Sequence, residues 1–584
     1  MKKLLIYLKD YKMESFLGPL FKLLEASFEL MVPLVIAAII DRGIANGDRG
    51  YIIRMCLILA GLGMVGLISS VTAQYFAAKA SAGFAKKLKH ALFEHILGLS
   101  FSEMDRRGTA TLITRMTSDM NQLQTGINLT LRLLLRSPFV VFGAMIMAFT
   151  IDVRAALVFA AAIPVLSVVV FGIMLWCIPL YKKVQTQLDK VLGITKGNLT
   201  GVRVIRAFCK EDEEIHAFQE ENEALSRVQK YVGRISSLMN PITYVLINAA
   251  IIGLIWIGGV RVNSGRITQG AVVALYNYMA QILVELIKLA NLIITITKSV
   301  ACGNRIQDIF EVRSSLVETD QMPSPKACDT AVEFCHVNLR YQDAGDNALT
   351  DINFTAKRGE IIGIIGGTGS GKSSLVNLIP RFYDATDGEV LVNGSNVKDY
   401  PMNALRDMIG MVLQNAVLFT GTIRENMQWG KSDATDKEIL EALDIAQARE
   451  VVDSKGGLDY RIEQGGKNLS GGQKQRFTIA RALVKQPEIL ILDDSSSALD
   501  FATDAALRKA ILEIPNHPTV FIVSQRASSL QHADQIIVLD DGKIAGIGTS
   551  EDLMRSCSVY REIYDSQFRK EETKDGLSEK EAKN

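Results

Sequence analysis

The sequence predicts a two-part fold. A helical membrane domain of six spans, with long helix extensions beyond the bilayer, is followed by an α/β domain of the phosphate-loop type. Three observations carry this. The first half of the 584-residue chain holds six long apolar stretches, each near the ~20 residues that a bilayer-crossing helix needs. The segments joining them on one side keep a helical period where loops would be expected. The second half alternates short apolar runs with amphipathic segments around Gly366-Gly367-Thr368-Gly369-Ser370-Gly371-Lys372-Ser373, which fits G-x-x-x-x-G-K-[ST].

The apolar stretches are 16–40, 52–76, 131–149, 155–178, 242–260 and 271–297. Lys and Arg set their orientation. The N-terminal arm holds four, residues 79–115 seven and residues 182–234 ten, whereas the opposite loops hold five together. Both termini are therefore expected in the cytoplasm of a multi-pass membrane protein. Arg132 and Arg136 then fall at the cytoplasmic end of the third span, where they are expected to reach water. The two inside connections, with helical period over 79–99, 118–135, 181–198 and 212–238, read as membrane helices continuing into the cytoplasm. Pro138, Pro164, Pro179 and Pro241 mark kinks or helix ends. The N-terminal residues up to Lys9 read as an amphipathic helix on the membrane surface.

Polar residues inside the spans are Lys22, Glu25 and Glu29, then Asn248, then Asn277, Gln281, Glu285, Lys288 and Asn291. A charge at membrane depth is expensive, so these point to a cavity or pathway, or to interhelical contacts. Glu285 and Lys288, spaced i, i+3, can pair. Net charge is +1, which together with six spans argues against a nucleic-acid partner. The seven cysteines are scattered without C-x-x-C spacing and read as reduced thiols. His90 and His95 do not share a helix face, so no zinc site is expected.

The domains read as 1–310 in the membrane, 311–330 as linker, 331–566 as the nucleotide-binding domain and 567–584 as a charged, disordered tail. The glycine-rich stretch follows the apolar run Ile361-Ile362-Gly363-Ile364-Ile365 and opens a helix at Ser374. Backbone N–H groups of such a loop surround phosphate oxygens, aided by the helix N-terminus. Lys372 can reach the β- and γ-phosphates, and Ser373 can ligate Mg²⁺. A nucleoside triphosphate and Mg²⁺ are the expected cofactors. Tyr341 can stack on adenine, and Gln414 can order Mg²⁺ and water near the γ-phosphate. Ser470, Gly471, Gly472 and Gln473 open a second helix suited to an anion. Asp493 ends the buried run Ile489-Leu490-Ile491-Leu492 and can hold Mg²⁺. Asp494 follows it, and Gln525 ends a further strand.

With these marks the chain resembles an ATP-binding cassette (ABC) exporter half-transporter, one membrane domain fused to one cassette. The likeness spans nearly all of it. The phosphate loop, the signature Leu469-Ser470-Gly471-Gly472-Gln473 and the Asp493 strand carry it most specifically. The resemblance implies that two cassettes sandwich two ATP molecules, each between one chain's phosphate loop and the other's signature, so a second chain is required. Two positions depart from the family pattern. The residue after Asp493 is usually Glu, which polarises the attacking water, and here it is Asp494. The position of Gln525 is usually His, which contacts the γ-phosphate. Asp is one methylene shorter, and a misplacement of ~1 Å can cost ~10²-fold in rate.

The pattern resembles the degenerate-site subunit of heterodimeric bacterial multidrug exporters. It implies slow hydrolysis at this chain's own loop, a partner carrying Glu and His, the bacterial cell membrane as location and small amphipathic substrates meeting membrane lipid. The alternatives are a homodimeric lipid or peptide exporter and an ATP-gated channel or regulatory subunit.

Overall fold

The computed structural model describes residues 2–324, 328–342, 344–495 and 497–567. The charged tail assigned from the sequence lies outside the described residues from 568 onward. The chain divides into two compact units: one runs to Leu97 and resumes over Thr109–Val312, and the other joins Gly98–Gly108 to the chain from Arg313 on.

The membrane unit contains α1 (Lys12–Ala38) and α2 (Arg49–Leu97). The short α3 (Phe101–Arg107) belongs to the other unit. There follow α4 (Thr109–Thr114), α5 (Met120–Leu133), α6 (Arg136–Ile151), α7 (Val153–Thr200), α8 (Val202–Ala207), α9 (Glu211–Ser237), α10 (Met239–Asn263) and α11 (Gln269–Phe310). Read through their short junctions, six of these stretches are long and apolar enough to cross a membrane among the described residues, and they run for 42 to 53 residues. At 1.5 Å per residue that is roughly 60–80 Å, about twice the hydrocarbon thickness of a bilayer.

Small side chains let the helices approach. Ala26 on α1 and Ala73, Ala77 and Ala80 on α2 are fully buried. Polar groups are satisfied across helices: Tyr278 donates to the Leu30 carbonyl at 2.6 Å, and Asp41 accepts from the Gly270 amide at 2.7 Å. Asp152 caps α7 by accepting from Ala155 N at 2.9 Å. Pro164 and Pro179 lie inside α7, which continues through both, while Pro138 and Pro241 sit in first turns. A proline in the first turn gives up an N–H that has no helical partner.

Residues Lys2–Tyr11 form a 3₁₀ helix whose Leu4, Tyr7 and Leu8 pack with Leu88, Met120 and Ile306, while Leu5 and Ile6 stay exposed. One sequence expectation changes here. Arg136 does not reach water. It is 6% exposed and donates to Glu285 Oε1 and to Glu29 Oε2, both at 2.6 Å. Carboxylates on α11 and α1 replace the solvent that the sequence had assigned to it.

The second unit is built on two larger sheets. β1 (Thr330–Leu339), β2 (Leu349–Lys357), β4 (Asp387–Val392) and β5 (Ser395–Asn396) form an antiparallel sheet in the order β2-β1-β4-β5. β3 (Ile361–Gly366) belongs to the other sheet with β6 (Ile409–Val412), β9 (Ile489–Asp493), β10 (Thr519–Val523), β11 (Gln535–Asp540) and β12 (Lys543–Gly548). Its order is β12-β11-β3-β10-β9-β6, parallel except for β12. Its inner strands read as continuous apolar runs because both faces are covered. β7 (Gly421–Thr422) and β8 (Arg461–Ile462) make a small ribbon. The helices are α12 (Lys372–Leu378), α13 (Met402–Asp407), α14 (Ile423–Gln428), α15 (Asp436–Ile445), α16 (Arg449–Ser454), α17 (Gly471–Val484), α18 (Phe501–Leu512) and α19 (Ser550–Ser556).

Candidate functional site

The phosphate loop leaves the end of β3, a central strand hydrogen-bonded on both sides by β10 and β11, and enters α12. Two glycines make the turn possible. A Cβ on Gly366 would stand 2.2 Å from the Leu539 carbonyl oxygen. Gly371 has φ +94°, and a Cβ there would lie 2.8 Å from the Ala348 oxygen. A residue with a side chain at Gly371 would be strained and would also clash. Because Gly371 is the N-cap, no side chain caps the first turn of α12, and its amides are left for an anion.

Lys372 is 9% exposed. Its Nζ donates to the carbonyls of Gly366 and Gly367, at 2.9 and 2.6 Å, and to Ser370 Oγ at 3.4 Å. Burial pulls the lysine below its usual pKa, opposed by the charges of Asp494 and Asp493. The loop thus holds a cation solvated by carbonyl dipoles, with no carboxylate in contact among the described residues. Ser373 Oγ donates to Asp493 Oδ1 at 3.0 Å, so the hydroxyl and carboxylate suited to Mg²⁺ lie side by side. Burial lifts the Asp493 carboxyl above its usual value, and the negative Asp494 adds to the rise, while the Ser373 hydrogen bond and Lys372 oppose it. A divalent ion there would supply the positive charge this carboxylate lacks.

Asp494 has φ +46°, and its amide donates to the Val523 carbonyl at 3.0 Å. Gln414 Nε2 donates to Asp494 Oδ2 at 3.3 Å. Tyr341 donates to Ser374 Oγ at 2.8 Å, and burial raises its phenol pKa. Tyr341, Thr368, Gly369, Gly371, Lys372, Ser373, Ser374, Gln414, Asp493, Asp494 and Gln525 line one cleft of about 350 Å³. These donors fit a nucleoside triphosphate with Mg²⁺: an open helix end and a cation for the phosphates, and a hydroxyl–carboxylate pair for the metal.

The signature residues do not line this cleft. Ser470 caps α17 in a reciprocal box: its Oγ accepts from Gln473 N at 3.3 Å, and Gln473 Oε1 accepts from Ser470 N at 3.0 Å. Residues joined by the fold but passed over in the sequence include Tyr383, whose ring meets Tyr341 edge-on at 5.2 Å and whose hydroxyl donates to Asp105 on α3 at 2.7 Å. The other is Gln567, assigned to the tail, which donates to the Gln525 carbonyl at 2.8 Å and accepts from Ala527 N at 2.9 Å. Neither carries a local sequence signal, since each acts through partners distant in the chain.

Six membrane-crossing helices fused to a phosphate-loop domain with a signature-capped helix define a transport ATPase of the ABC class. Comparison with known proteins agrees. Residues 15–286 match the ABC transporter transmembrane region and residues 349–497 the ABC transporter family. An uncharacterized ABC transporter ATP-binding protein of Mycobacterium tuberculosis is 36% identical over 565 residues, 96% of this chain and 97% of that protein. A Bacillus subtilis protein provisionally named multidrug export ATP-binding/permease protein is 32% identical, over 97% of this chain and 98% of its own length. The ATP-dependent lipid A-core flippase of Desulfotalea psychrophila is 31% identical, over 82% and 83%. A bacterial Atm1-family ABC exporter with ATP bound has the same fold, with TM-score 0.79, 22% identity, and coverage of 95% of this chain and 98% of that one. The chain belongs to the ABC transporter family, as a half-transporter of the exporter type.

Proposed function

We propose that the chain is one half of a heterodimeric, ATP- and Mg²⁺-driven exporter of amphipathic compounds. Its own Lys372 cleft hydrolyses slowly, and its Ser470–Gln473 helix end completes a faster site on a partner chain. The observation that carries this reading is that Asp494 and Gln525 share the Lys372 cleft, at the two positions where the family usually has Glu and His. Gln414 lies within hydrogen-bonding reach of the shorter Asp494 carboxylate. The signature helix, in contrast, keeps its full pattern.

In this reading Lys372 and the loop amides bind the phosphates, Ser373 and Asp493 hold the metal, and Tyr341 offers its ring to the base. Bound Mg-ATP closes two cassettes on each other, and hydrolysis lets them part. The Lys and Arg bias supports both termini lying in the cytoplasm, and the bacterial relatives support a bacterial cell membrane. One relative named for multidrug export and one named as a lipid A-core flippase support amphipathic cargo for this chain.

The test is ATP hydrolysis by the purified chain, alone and with a half-transporter carrying Glu and His. Slow turnover alone and fast, drug-stimulated turnover in the mixed dimer are expected. Robust turnover by this chain alone would sink the heterodimer reading.

A further inference from the structure

The membrane unit holds a row of four charges of alternating sign. Lys288 Nζ donates to Glu285 Oε1 at 2.8 Å. Arg136 donates to the same oxygen at 2.6 Å and, through its other terminal nitrogen, to Glu29 Oε2 at 2.6 Å. Ser137 Oγ donates to the second Glu285 oxygen at 2.9 Å. The inner two members are dry, with side chains 4% (Glu285) and 7% (Arg136) exposed, whereas the ends are open, Lys288 at 45% and Glu29 at 40%. Both ends, and Glu285 between them, line one cavity of about 350 Å³ between α1 and α11, with Val32 and Ile36 as apolar wall and Asn277 and Gln281 as further polar groups.

We propose that this cavity binds a zwitterionic amphiphile, a ligand with one cationic and one anionic group on an apolar body. The row sums to zero charge. A ligand bearing a single charge would leave the apolar interior with an uncompensated one, which is costly at membrane depth. A zwitterion adds none, and it closes the row: its anion meets Lys288 and its cation meets Glu29. Both ends have capacity left. An ammonium has three donors and a carboxylate about four acceptor positions, of which Lys288 spends one on Glu285 and Glu29 spends one oxygen on Arg136. Glu285, which accepts three bonds, has about one position left and is already neutralised by Arg136 and Lys288. The cavity's volume lies in the range of small-molecule sites. That the occupant is cargo rests on the export reading above; that the cavity selects zwitterions does not.

The experiment uses the full chain in phosphatidylglycerol nanodiscs and three radiolabelled probes with the same tail: N-dodecylglycine, dodecylamine and dodecanoate. N-dodecylglycine should bind about tenfold or more tighter than either singly charged probe. Lys288→Gln should move the preference to dodecylamine, and Glu29→Gln to dodecanoate. Equal affinities for the three probes, or a ranking that both variants leave intact, would overturn the proposal. The wild-type ranking alone decides it if the variants do not fold.

Adding phosphatidylethanolamine to the nanodisc separates the sources. Displacement of N-dodecylglycine identifies a lipid headgroup as the occupant, and no displacement identifies a soluble amphiphile. Both outcomes keep the zwitterion. ATP-driven movement in vesicles tests the export reading separately. Selective binding without movement leaves the site and removes the cargo role. Movement of all three probes alike, with no preference in binding, does the reverse.

Discussion

Two buried cations in this chain are handled in opposite ways. Arg136 in the membrane unit is clamped by two carboxylates from other helices. Lys372 in the cassette is almost as buried, yet its contacts are two backbone carbonyls and a hydroxyl. Asp493 and Asp494 influence it only across the cleft. A buried charge with ionic partners is a structural element, and removing it strands those partners. A buried charge held by dipoles alone keeps most of its attraction for an incoming anion. The difference separates a residue that holds helices together from one that binds ligand.

The comparison can be broken most severely at Arg136. Arg136→Met should destabilise the membrane unit by about 3 kcal/mol, because the buried Glu285 keeps only Lys288 and Ser137 as donors and Glu29 loses its ionic partner. Thermal unfolding in detergent reads this, and Arg136→Met with Glu285→Gln should recover part of the loss. Lys372→Ala should behave in the opposite sense. Hydrolysis at this chain's own cleft should fall by about 10²–10³-fold, with little or no loss of melting temperature. If Lys372→Ala melts the cassette as Arg136→Met melts the membrane unit, the distinction fails.

Catalysis at the Lys372 cleft sharpens the contrast, because binding and hydrolysis separate there. Asp494→Glu combined with Gln525→His should raise hydrolysis at this cleft by up to ~10²-fold while nucleotide affinity changes little. Full recovery by Asp494→Glu alone would show that Gln525 is no defect.

The smallest expected effect is a proton count. Burial lowers the Lys372 pKa, so the folded chain gives up that proton at lower pH than the unfolded chain. This group therefore disfavours folding at neutral pH, and the penalty is relieved as pH rises from the lowered value to the ordinary lysine range. Triphosphate binding restores the charge, so Mg-ATP binding in that alkaline window should take up a proton. Calorimetry in buffers of different ionisation enthalpy measures the uptake. Asp493 runs the other way. Its carboxyl pKa is raised by burial, so it favours the folded chain in acid and ceases to as pH rises through the raised value. Metal needs the ionised form, so Mg²⁺-dependent affinity should fall in acid, beginning above the usual Asp range. Arg136, a guanidinium, should contribute to neither effect.

Legibility follows how far apart the interacting residues lie in the chain. The phosphate loop is a contiguous stretch between an apolar strand and a helix, so its local context is enough to assign it. Ser470 and Gln473 are three residues apart, the spacing of a capping box. Arg136 illustrates the opposite case. It sits at the edge of an apolar stretch, where a sequence reading sends it to water, but its partners are 107 and 149 residues away. Tyr383 reaches Asp105 across 278 residues, and nothing near either residue in the chain announces the contact.

By itself, then, the sequence determined the six spans, the fused phosphate-loop domain, the candidate ligands Lys372, Ser373 and Asp493, and the two unusual residues Asp494 and Gln525. Each is a property of residue type at short range: apolar length, strand-to-helix context, or one side chain in place of another. Only the tertiary structure decided that Lys372 has backbone carbonyls and a hydroxyl as its contacts while Arg136 has two carboxylates. It also decided that the open ends of a charge row face one cavity. Desolvation and charge pairing depend on what surrounds a group in space, and elements far apart in the chain supply those surroundings.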